Sequence, residues 1–396
     1  MSLIHNKNIS PFYKALLQHK DLLIKVYAGE IGYTPEEVEA LWEDMDHFFK
    51  NLSVSLEGRK KLWAQEAALY HSIESSFTLR RCGWGNILFV PPVNSIIPTL
   101  PIVITSAIAM GNSPFILHSR RCPQTFMLFR SICNKVMPEV VFLEKEDDFN
   151  IEKVFKDQQI DLLLYQGGSH HFPSLLNACA NQGVYPILEG SGQTLSIIES
   201  GDDDLIKTYA TKIAHSKLFC KGSICSSPNL VFIPQPYIKA FTSYYSNILV
   251  KKYQEKDGQI SANEEQLGIK LNALIGDDWE KPVSGVITVN IQEAIKLLNE
   301  DLNGMVAICI PYNNIGEVRK LLSLYRYGLQ ISFYSSSSES SLYTELKARN
   351  NVSRITRNKL QIEQKSILPW GGYRLSGISK VQDYFEKFTK TITIED

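Results

Sequence analysis

The sequence lacks the spacing patterns of a disulfide-rich or zinc-binding protein. Its 7 cysteines are scattered among 396 residues without CxxC or CxxH spacing, and an odd number cannot form a complete set of disulfides. The N-terminus, MSLIHNKNIS, does not have the charged-then-apolar order of a signal peptide. We therefore expect a cytoplasmic protein in a reducing compartment, without a structural metal.

The sequence also lacks a charge excess and an uninterrupted apolar run. A formal charge of -1 and a pI near 6.7 give no electrostatic basis for binding nucleic acid or an anionic membrane. The most apolar run, 87–110, is interrupted by four prolines and Asn94, whereas a membrane span needs about 20 consecutive apolar residues. We expect a buried strand followed by a helix instead.

Short apolar segments alternate with amphipathic segments from Asn86 onward. Alternation at this spacing is typical of parallel strands joined by helices, which form doubly wound sheets. In the first set, strands are predicted at about 86–91, 114–118, 139–143, 161–165 and 184–188, and helices at about 97–110, 123–136, 150–158 and 172–182. In the second set, strands are predicted near 194–198, 229–233, 285–290, 305–310 and 329–334, and helices include 236–256 and 262–274.

Two such sets predict an α/β fold with two doubly wound lobes and the active site between them, because these sheets bind ligands at the carboxyl ends of their strands. We expect a helical segment at 1–75 and a Rossmann-like cofactor-binding domain at 76–198. A catalytic domain is expected at 199–378. The tail, 379–396, is predicted to be a short helix and a terminal strand, Thr391 to Ile394.

The stretch 202–233 is predicted to be a helix, a loop of small residues and a buried strand. Three Asp residues at 202–204 open the helix as capping acids, and basic residues crowd its end, the charge order that the helix dipole favours. Gly222 and Ser223 allow a tight bend. Cys225 is therefore predicted to lie on a loop between two rigid elements, where a nucleophile would be placed.

Cys220 competes with Cys225 for this role, and a buried cysteine more often serves packing than chemistry. We prefer Cys225 because small and polar residues surround it, whereas Cys220 follows Phe219 at the end of a helix. A reactive thiolate needs a lowered pKa, and Lys221 is the cation nearest to it in sequence.

The segment Gln-Gly-Gly-Ser-His at 166–170 follows a predicted strand and precedes a helix. Gly167, Gly168 and Ser169 could hold a cofactor phosphate at the helix N-terminus, although the segment is not GxGxxG. A plain turn with Ser169 as the helix cap explains the segment equally well. His170 and His171 do not predict a metal site, because adjacent residues point apart and no third ligand is evident.

Two further residues lie at predicted strand ends. Asn94 stands between a strand and a helix, where its amide could donate to an oxyanion or simply form a turn. Glu189 ends the strand at 184–188 and precedes Gly190-Ser191-Gly192, which would put its carboxylate at the mouth between the lobes. It could act as a general base or be a solvated loop residue.

These pieces together resemble the aldehyde dehydrogenase superfamily, from about Asn86 to the terminal strand. The glutamate motif is similar to Leu-Glu-Gly-Ser-Gly-Gln at 188–193, and the nucleophile motif Phe-x-x-Gly-x-x-Cys is similar to 219–225. The late motif resembles Pro-Trp-Gly-Gly-Tyr-Arg-Leu-Ser-Gly at 369–377. The nicotinamide-ribose motif of oxidising members, Glu-x-x-Phe-Gly-Pro, is not recognisable near Trp279–Gly285.

Within that superfamily the sequence more closely resembles the fatty acyl-CoA reductases of bacterial luminescence. The similarity lies in Pro-Val-Asn at 92–94, Gly-Asn at 111–112, His-Ser-Arg-Arg-Cys-Pro-Gln at 118–124 and Cys-Ser-Ser-Pro at 225–228. The chain is short, so the β-hairpin that relatives use to assemble oligomers, expected just before Gly83, is expected to be reduced.

The resemblance implies an enzyme that reduces an acyl thioester to a fatty aldehyde. Cys225 would form the acyl-enzyme, the Asn94 amide and the Cys225 backbone amide would hold the oxyanion, and Glu189 would need no basic role. NADPH is the expected cofactor, since Ser119, Arg120 and Arg121 offer a hydroxyl and two guanidinium groups to a 2′-phosphate. The expected cofactor contacts are His118, Ser119, Arg120, Arg121, Gly167, Gly168, Ser169 and Gly190.

The resemblance also implies partners and leaves two alternatives. The substrate would be an acyl-CoA or an acyl-carrier-protein thioester, an acyl-protein synthetase could be a partner, and the chain could form a homo-oligomer. One alternative is an NAD(P)-dependent aldehyde dehydrogenase that oxidises an aldehyde to an acid, with Glu189 activating water. The other is a catalytically silent binding or assembly subunit.

Overall fold

The computed structural model describes residues 8–144, 149–255, 262–276, 285–362 and 365–395. The chain divides into two compact units. The first unit comprises residues 1–189, 365–370 and 381–396, and the second comprises 190–364 and 371–380.

Helices and strands alternate over most of the described residues. The helices are α1 (Ile9–Gln18), α2 (Lys20–Ile31), α3 (Pro35–Ile73), α4 (Ile96–Ala109), α5 (Pro123–Val136), α6 (Ile151–Asp157), α7 (Phe172–Gln182), α8 (Asp203–Leu218), α9 (Ile238–Glu255), α10 (Ala262–Ile275), α11 (Ile291–Leu297), α12 (Ile315–Leu324), α13 (Ser341–Lys347) and α14 (Tyr384–Lys387). The strands are β1 (Phe77–Gly83), β2 (Asn86–Val90), β3 (Ser113–Leu117), β4 (Val141–Leu143), β5 (Leu162–Gln166), β6 (Tyr185–Glu189), β7 (Thr194–Ser200), β8 (Pro228–Pro234), β9 (Gly285–Thr288), β10 (Val306–Tyr312), β11 (Tyr327–Gly328), β12 (Gln330–Ser335), β13 (Arg354–Arg357), β14 (Tyr373–Arg374), β15 (Gly377–Ile378) and β16 (Thr389–Glu395).

The first unit is built on parallel strands in the order β6-β5-β2-β3-β4. The pairing aligns Leu117 with Leu143 and Gln166 with Glu189, so residues that follow these strands emerge at the same edge of the sheet. Strand β2 and the buried helix α4 confirm the prediction for 87–110. No helix among the described residues is long and apolar enough to span a membrane.

The first unit also contains an antiparallel ribbon formed by β1 and β16, which pair from Phe77 opposite Glu395 to Gly83 opposite Thr389. The predicted terminal strand is thus confirmed and is longer than expected. The strand before Gly83 pairs with the end of the chain. An isolated two-stranded ribbon is only marginally stable in water. Here helix α3 packs against β1 and stabilises the ribbon.

The second unit has a parallel sheet in the order β13-β12-β7-β8-β10-β9. Its central strands β7 and β8 are almost entirely buried, as expected for strands covered on both faces. Separate clusters of buried apolar side chains pack around them, one including Leu230 and Ile308 and the other including Val231 and Tyr209.

The expected fold class, α/β with parallel sheets, is confirmed. The ten predicted strands of the two sets correspond to β2–β10 and β12 within a few residues. The division between the units falls after Glu189 rather than at the expected boundary of 198, because β7 is a central strand of the second sheet. The segment 381–396 belongs to the first unit, since β16 pairs with β1.

Candidate active site

Cys225 lies on a short loop between a 3-10 turn at Phe219–Gly222 and strand β8. Helix α8 precedes the turn, and the Asp202 carboxylate caps it by accepting a hydrogen bond from the Leu205 amide at 2.9 Å. The predicted order of helix, loop and strand, with Asp202 as a cap, is therefore confirmed. This order fixes both ends of the Cys225 loop.

The loop begins with three consecutive residues in the left-handed region. Cys220, Lys221 and Gly222 have φ angles of 50°, 54° and 65°. A Cβ at Gly222 would overlap the Gly304 carbonyl, so only glycine fits there. Left-handed non-glycine residues cost about 1–3 kcal/mol each and persist where the surroundings hold them. The conformation of this loop is thus imposed by its contacts.

Burial separates Cys225 from most other thiols of the chain. Cys225 is half-buried, whereas Cys220 is fully buried. Burial raises the pKa of the Cys122 thiol to about 12 and that of Cys179 to about 11. Cys82 is half-buried as well but lies in β1. Access therefore favours Cys225 over Cys220 as the nucleophile.

The segment after Glu189 packs directly behind Cys225. A Cβ at Gly192 would overlap the Cys225 carbonyl, so glycine permits the close approach of these two backbones. The Thr194 hydroxyl donates a hydrogen bond to the same carbonyl at 3.2 Å. Both contacts fix the peptide group that follows the candidate nucleophile.

The late motif reaches the same segment. The Gly190 amide donates to the Ser376 carbonyl at 3.0 Å, and the Gly328 amide donates to the Ser376 hydroxyl at 3.2 Å. A Cβ at Gly372 would overlap Ser376, which explains the glycine in this tight loop. Within the second unit, the residues that follow Glu189 thus contact both the Cys225 loop and Ser376 of the late motif. Gly190, which we expected to contact the cofactor, contacts Ser376.

A fully buried lysine lies beneath the Cys225 loop. The Lys217 ammonium donates a hydrogen bond to Asn229 Oδ1 at 2.6 Å. Asn229 Nδ2 donates to Gln193 Oε1 at 2.7 Å and to the Gly192 carbonyl at 3.2 Å. Burial lowers the pKa of Lys217 to about 7, and the negative charge of Asp301 opposes this shift.

Glu189 is a buried residue of the first unit. Its carboxylate forms an ion pair with the Lys387 ammonium and accepts a hydrogen bond from Gln166 Nε2 at 2.5 Å. The same Gln166 nitrogen lies 2.9 Å from the Tyr384 hydroxyl. Glu189 is 5% exposed, so the alternative of a solvated loop residue is wrong. Its carboxylate oxygens are held by Lys387 and Gln166 inside the first unit, and the expected position at the mouth between the lobes stays a prediction.

Asn94 lies between β2 and α4, as predicted, and is half-buried. The Tyr27 hydroxyl donates to the Val93 carbonyl at 2.8 Å, and the Tyr33 hydroxyl donates to the Asn94 carbonyl at 3.3 Å. Asn94 Oδ1 accepts a hydrogen bond from the Ser95 hydroxyl at 3.4 Å. The predicted N-terminal helical segment thus anchors this loop.

The residues after β3 form an exposed, basic strand end. Arg120 and Arg121 are exposed, and the Ser119 hydroxyl accepts a hydrogen bond from the Arg121 amide at 3.3 Å. His118 lies 2.7 Å from the Glu144 carboxylate, which also pairs with Arg130 at 2.8 Å. An acid that sequence reasoning missed therefore lies beside the predicted cofactor residues.

The Gly167–Ser169 segment differs from its prediction. Ser169 starts a 3-10 turn, Ser169–His171, and α7 begins only at Phe172, so the alternative that Ser169 caps the helix is wrong. A Cβ at Gly167 would overlap the Tyr165 ring, and one at Gly168 would overlap the His170 ring. These glycines therefore allow their own neighbours to pack, and their contact with a cofactor stays a prediction.

The described residues contain no group of three or more potential metal ligands from His, Cys, Asp and Glu. The rings of His170 and His171 pack on each other with centroids 3.9 Å apart. The absence of a nicotinamide-ribose motif near Trp279–Gly285 stays a prediction, because residues 277–284 lie outside the described part of the chain.

Two residues of the candidate site that sequence reasoning missed have partners that are distant in sequence. Lys387 meets a carboxylate 198 residues earlier, and Tyr27 meets a carbonyl 66 residues later. Lys217 had a local signal, a lysine inside an apolar helix stripe before the Cys225 motif. We interpreted it as one of the cations that the helix dipole favours, and its place in the last turn of α8 agrees with that interpretation, but its complete burial was not foreseen.

A dinucleotide fits the first unit by the chemistry of its donors. Strand ends of a parallel sheet carry Ser119, Arg120, Arg121 and the Gly167 backbone, and the two arginines are exposed. One alternative phosphate site is closed, because the Glu30 carboxylate accepts hydrogen bonds from the Gln124 and Thr125 amides at 2.7 and 2.9 Å. A phosphate therefore fits the basic strand end better than the N-terminus of α5.

Two parallel sheets and a cysteine loop that packs against Gly192 and Thr194 define an α/β scaffold with a candidate thiol nucleophile. The chain belongs to the aldehyde dehydrogenase family, which matches residues 6–264 and 250–394. The expectation of this superfamily is thus confirmed.

Curated relatives are distant. A probable coniferyl aldehyde dehydrogenase of Pseudomonas aeruginosa is 24% identical over 250 residues, which are 57% of this chain and 52% of that protein. Aldehyde dehydrogenase family 3 member B1 of Rattus norvegicus is 20% identical over 374 residues, 90% of this chain and 76% of that protein. The chain thus matches only about half of the length of the first of these relatives.

Solved structures agree on the fold. An NAD-dependent aldehyde dehydrogenase from Sinorhizobium meliloti has a TM-score of 0.81 at 17% identity, covering 98% of this chain and 81% of that one. An aldehyde dehydrogenase of Mycobacterium tuberculosis complexed with NAD+ has a TM-score of 0.79 at 16% identity, covering 98% and 84%. The names of the relatives favour aldehyde oxidation over the expected thioester reduction, and the acyl-CoA reductase subfamily stays a prediction.

Proposed function

We propose that this chain reduces an acyl thioester, either an acyl-CoA or an acyl-carrier protein, to an aldehyde through a thioester on Cys225. The observation that carries the proposal is the burial of Glu189 in an ion pair with Lys387. Oxidation to an acid requires water to attack the acyl-enzyme, and a general base must reach that water. A carboxylate whose oxygens accept from Lys387 and Gln166 is poorly placed to do so.

The chain's own residues supply the acyl-transfer steps. The Cys225 thiolate attacks the thioester carbonyl, and collapse of the tetrahedral adduct releases the substrate thiol. The Cys225 backbone amide and the Asn94 side-chain amide are the proposed donors to the oxyanion, because preorganised donors aimed at developing charge lower such barriers. A bound nicotinamide cofactor would supply the hydride that reduces the acyl-enzyme. Collapse of the resulting thiohemiacetal frees the aldehyde and the thiol.

NADPH is the proposed cofactor, held by Ser119, Arg120 and Arg121. Exposed guanidinium groups support this choice, because Arg forks match phosphate oxygens bidentately. The Glu144 carboxylate argues against NADPH, since an acid beside the ribose of a bound cofactor would favour a 2′-hydroxyl over a 2′-phosphate. Its pairing with Arg130 and His118 offsets that charge. Glu144→Gln should therefore increase the preference for NADPH, and Arg120→Ala should reduce it, as equilibrium binding of NADPH and NADH would measure.

Oxidation of an aldehyde to an acid is the second candidate function. The names of the relatives favour it, since those quoted above are aldehyde dehydrogenases. It would require Glu189 to leave Lys387, or another group to activate water. The two functions differ in the fate of the acyl-enzyme on Cys225: hydride reduces it to a thiohemiacetal in thioester reduction, whereas water hydrolyses it in oxidation to an acid.

One pair of assays separates the two functions. The full chain is incubated with acyl-CoA and NADPH, and in the reverse direction with an aldehyde and NADP+, with and without CoA. We expect aldehyde in the first assay and CoA-dependent acyl-CoA in the second, by mass spectrometry of the products. Acid formed without CoA, together with no aldehyde from acyl-CoA, would contradict thioester reduction and support the second candidate.

Cys225→Ala and Cys220→Ala form a matched pair for the same assays. Cys225→Ala should abolish both directions, and Cys220→Ala should retain most activity, because only the half-buried thiol can be reached. After incubation with acyl-CoA alone, the acyl adduct should lie on the Cys225 peptide. An adduct on Cys220 would move the nucleophile and overturn the assignment.

A further inference from the structure

We propose that Lys217 and Asn229 form a clasp that closes the Cys225 loop and positions it for acyl transfer. The inference rests on the proposed function only in naming that reaction. Lys217 belongs to the last turn of α8, and Asn229 is the second residue of β8. Their side chains bond across the two ends of the loop at 2.6 Å, so one hydrogen bond brackets residues 218–228.

The clasp extends to the segment behind the candidate nucleophile. Asn229 accepts from Lys217 on its oxygen and donates from its nitrogen to Gln193 and Gly192. Only this orientation of the amide satisfies all three bonds, because the Lys217 ammonium can only donate. Lys217 therefore sets the direction in which Asn229 faces the segment that packs on the Cys225 carbonyl.

Further contacts hold the members of this network in place. Gln193 Nε2 donates to the Leu297 carbonyl at 3.0 Å, and the Tyr325 hydroxyl donates to the Gln193 carbonyl at 2.5 Å. Gln193 and Asn229 are both buried. The amide of Asn229 is thus fixed from both sides and cannot rotate without leaving buried groups unpaired.

The burial of Lys217 argues for a specific role, since an apolar residue would fill the same space at less cost. A fully buried ammonium loses its hydration, and its hydrogen-bond partner here is a neutral amide. The charged neighbour that acts on it is Asp301, whose Oδ2 accepts from the Ser191 hydroxyl at 2.5 Å. Lys270 is a second cation beside Asp301, and its ammonium donates a hydrogen bond to the Asp301 backbone carbonyl at 2.7 Å.

The costly backbone conformation of the left-handed turn explains why the ends of the loop need a bond between them. Cys220 to Gly222 hold a conformation that costs free energy, and the loop would relax if its ends could separate. A bond between the flanking elements prevents this separation. Lys217 is accordingly a positioning residue that acts on Cys225 through Asn229 and Gly192.

Hydrogen exchange of the loop tests the clasp without relying on activity. Lys217→Met should make the amides of 218–227 exchange roughly 10- to 100-fold faster, the factor for losing one charge-assisted hydrogen bond. The control is Lys212→Met, on the same helix, because Lys212 also donates a hydrogen bond, to the Asn358 carbonyl at 2.7 Å. It should leave exchange of the loop unchanged.

Kinetics distinguish positioning from simple loss of structure. In Lys217→Met, kcat for thioester reduction should fall with little change in KM, and Lys217→Gln, which keeps a donor, should recover part of kcat. The effect of Asn229→Leu on loop exchange should match that of Lys217→Met, and the double variant should add nothing. If thioester reduction itself fails, the exchange result still reports on the clasp.

Three outcomes would overturn the proposal. The first is wild-type loop exchange in folded Lys217→Met. The second is equal acceleration in Lys212→Met. The third is failure of Lys217→Met, Lys217→Gln and Asn229→Leu all to fold, because the pair would then hold the whole second unit rather than one loop.

Discussion

Each unit of the molecule buries a lysine beside a candidate functional segment. One lysine contacts a charged partner and the other contacts a neutral one. In the first unit Lys387 meets the Glu189 carboxylate and lies over the Tyr384 ring, with its nitrogen 5.1 Å from the ring centroid. In the second unit Lys217 meets the Asn229 amide oxygen. Lys387 thus has a full countercharge in direct contact, whereas Lys217 has a neutral dipole.

The difference shows how a protein can use one residue type for two purposes. A countercharge fixes both partners, so Lys387 immobilises a carboxylate that could otherwise act as a base. A neutral partner leaves the ammonium costly, and burial lowers the pKa of Lys217 to about 7. Glu189 is therefore held by Lys387, while burial without a contacting countercharge lowers the pKa of Lys217.

The largest effect should come from removing the cation of the first unit. Lys387→Met leaves the Glu189 carboxylate buried without its ion-pair partner, which commonly costs about 3–5 kcal/mol. Urea unfolding should show this loss in the free energy of unfolding. Glu189→Gln/Lys387→Met should recover most of it, because the buried charge is then absent. Equal losses in the single and double variants would contradict a direct pairing.

The second effect is a pH dependence that Lys217 should confer on stability. Its pKa is about 7 in the folded chain and 10.5 as the ordinary value, so between these values the unfolded chain binds the extra proton. Stability should therefore rise as pH increases above 7, with a slope approaching about 1.4 kcal/mol per pH unit. The comparison should stay below the ordinary thiol pKa of 9.0, because buried thiols such as Cys122 contribute the opposite slope above it.

Unfolding free energies of wild type and Lys217→Met at pH 7 and pH 8.5 measure this contribution. The difference between the two pH values should be smaller in Lys217→Met. Lys212→Met serves as the control and should keep the wild-type slope. The same slope in all three proteins would show that Lys217 keeps an ordinary pKa.

A smaller effect should follow from giving Lys217 a countercharge. Asn229→Asp gives Lys217 a carboxylate partner, as Lys387 has in Glu189. The pKa of Lys217 should therefore rise, and the free energy of unfolding should depend less on pH between 7 and 8.5. The variant loses the donors to Gln193 and Gly192, which should cost about 1–3 kcal/mol for buried groups left unpaired. Denaturant unfolding at several pH values tests both parts. An unchanged slope would contradict the contact between Lys217 and residue 229.

The smallest loss of unfolding free energy should come from removing a hydrogen bond between two uncharged groups. This loss is the reference against which the effects of the two lysines are compared. Tyr27→Phe removes the donor to the Val93 carbonyl and keeps the buried ring, so we expect a loss of about 0.5–1.5 kcal/mol.

The proposed role of Asn94 adds a kinetic test. In an Asn94→Ala background, Tyr27→Phe should no longer affect kcat, whereas additive effects would show that Tyr27 does not act through Asn94.

Residues close in sequence explain most of what could be predicted. Helix α8 and strand β8 were predicted from local periodicity, and Asp202 as a cap from its position before that helix. A reduced β-hairpin was expected just before Gly83, and the pairing of strand β1 with β16 was missed because its partner lies at the other end of the chain. The interpretation of Ser169 failed for a local reason, since a 3-10 turn separates it from α7.

The sequence by itself determined the alternation of strands and helices, the parallel sheets and the place of Cys225 on a loop, because these depend on periodicity and short-range turn chemistry. Only the tertiary structure decided the environment of each charge. The pairing of Glu189 with Lys387 and of Lys217 with Asn229 depends on which side chains meet inside each unit. Desolvation and countercharge, which decide whether a buried group is fixed or titrates near neutral pH, arise only when the chain has packed.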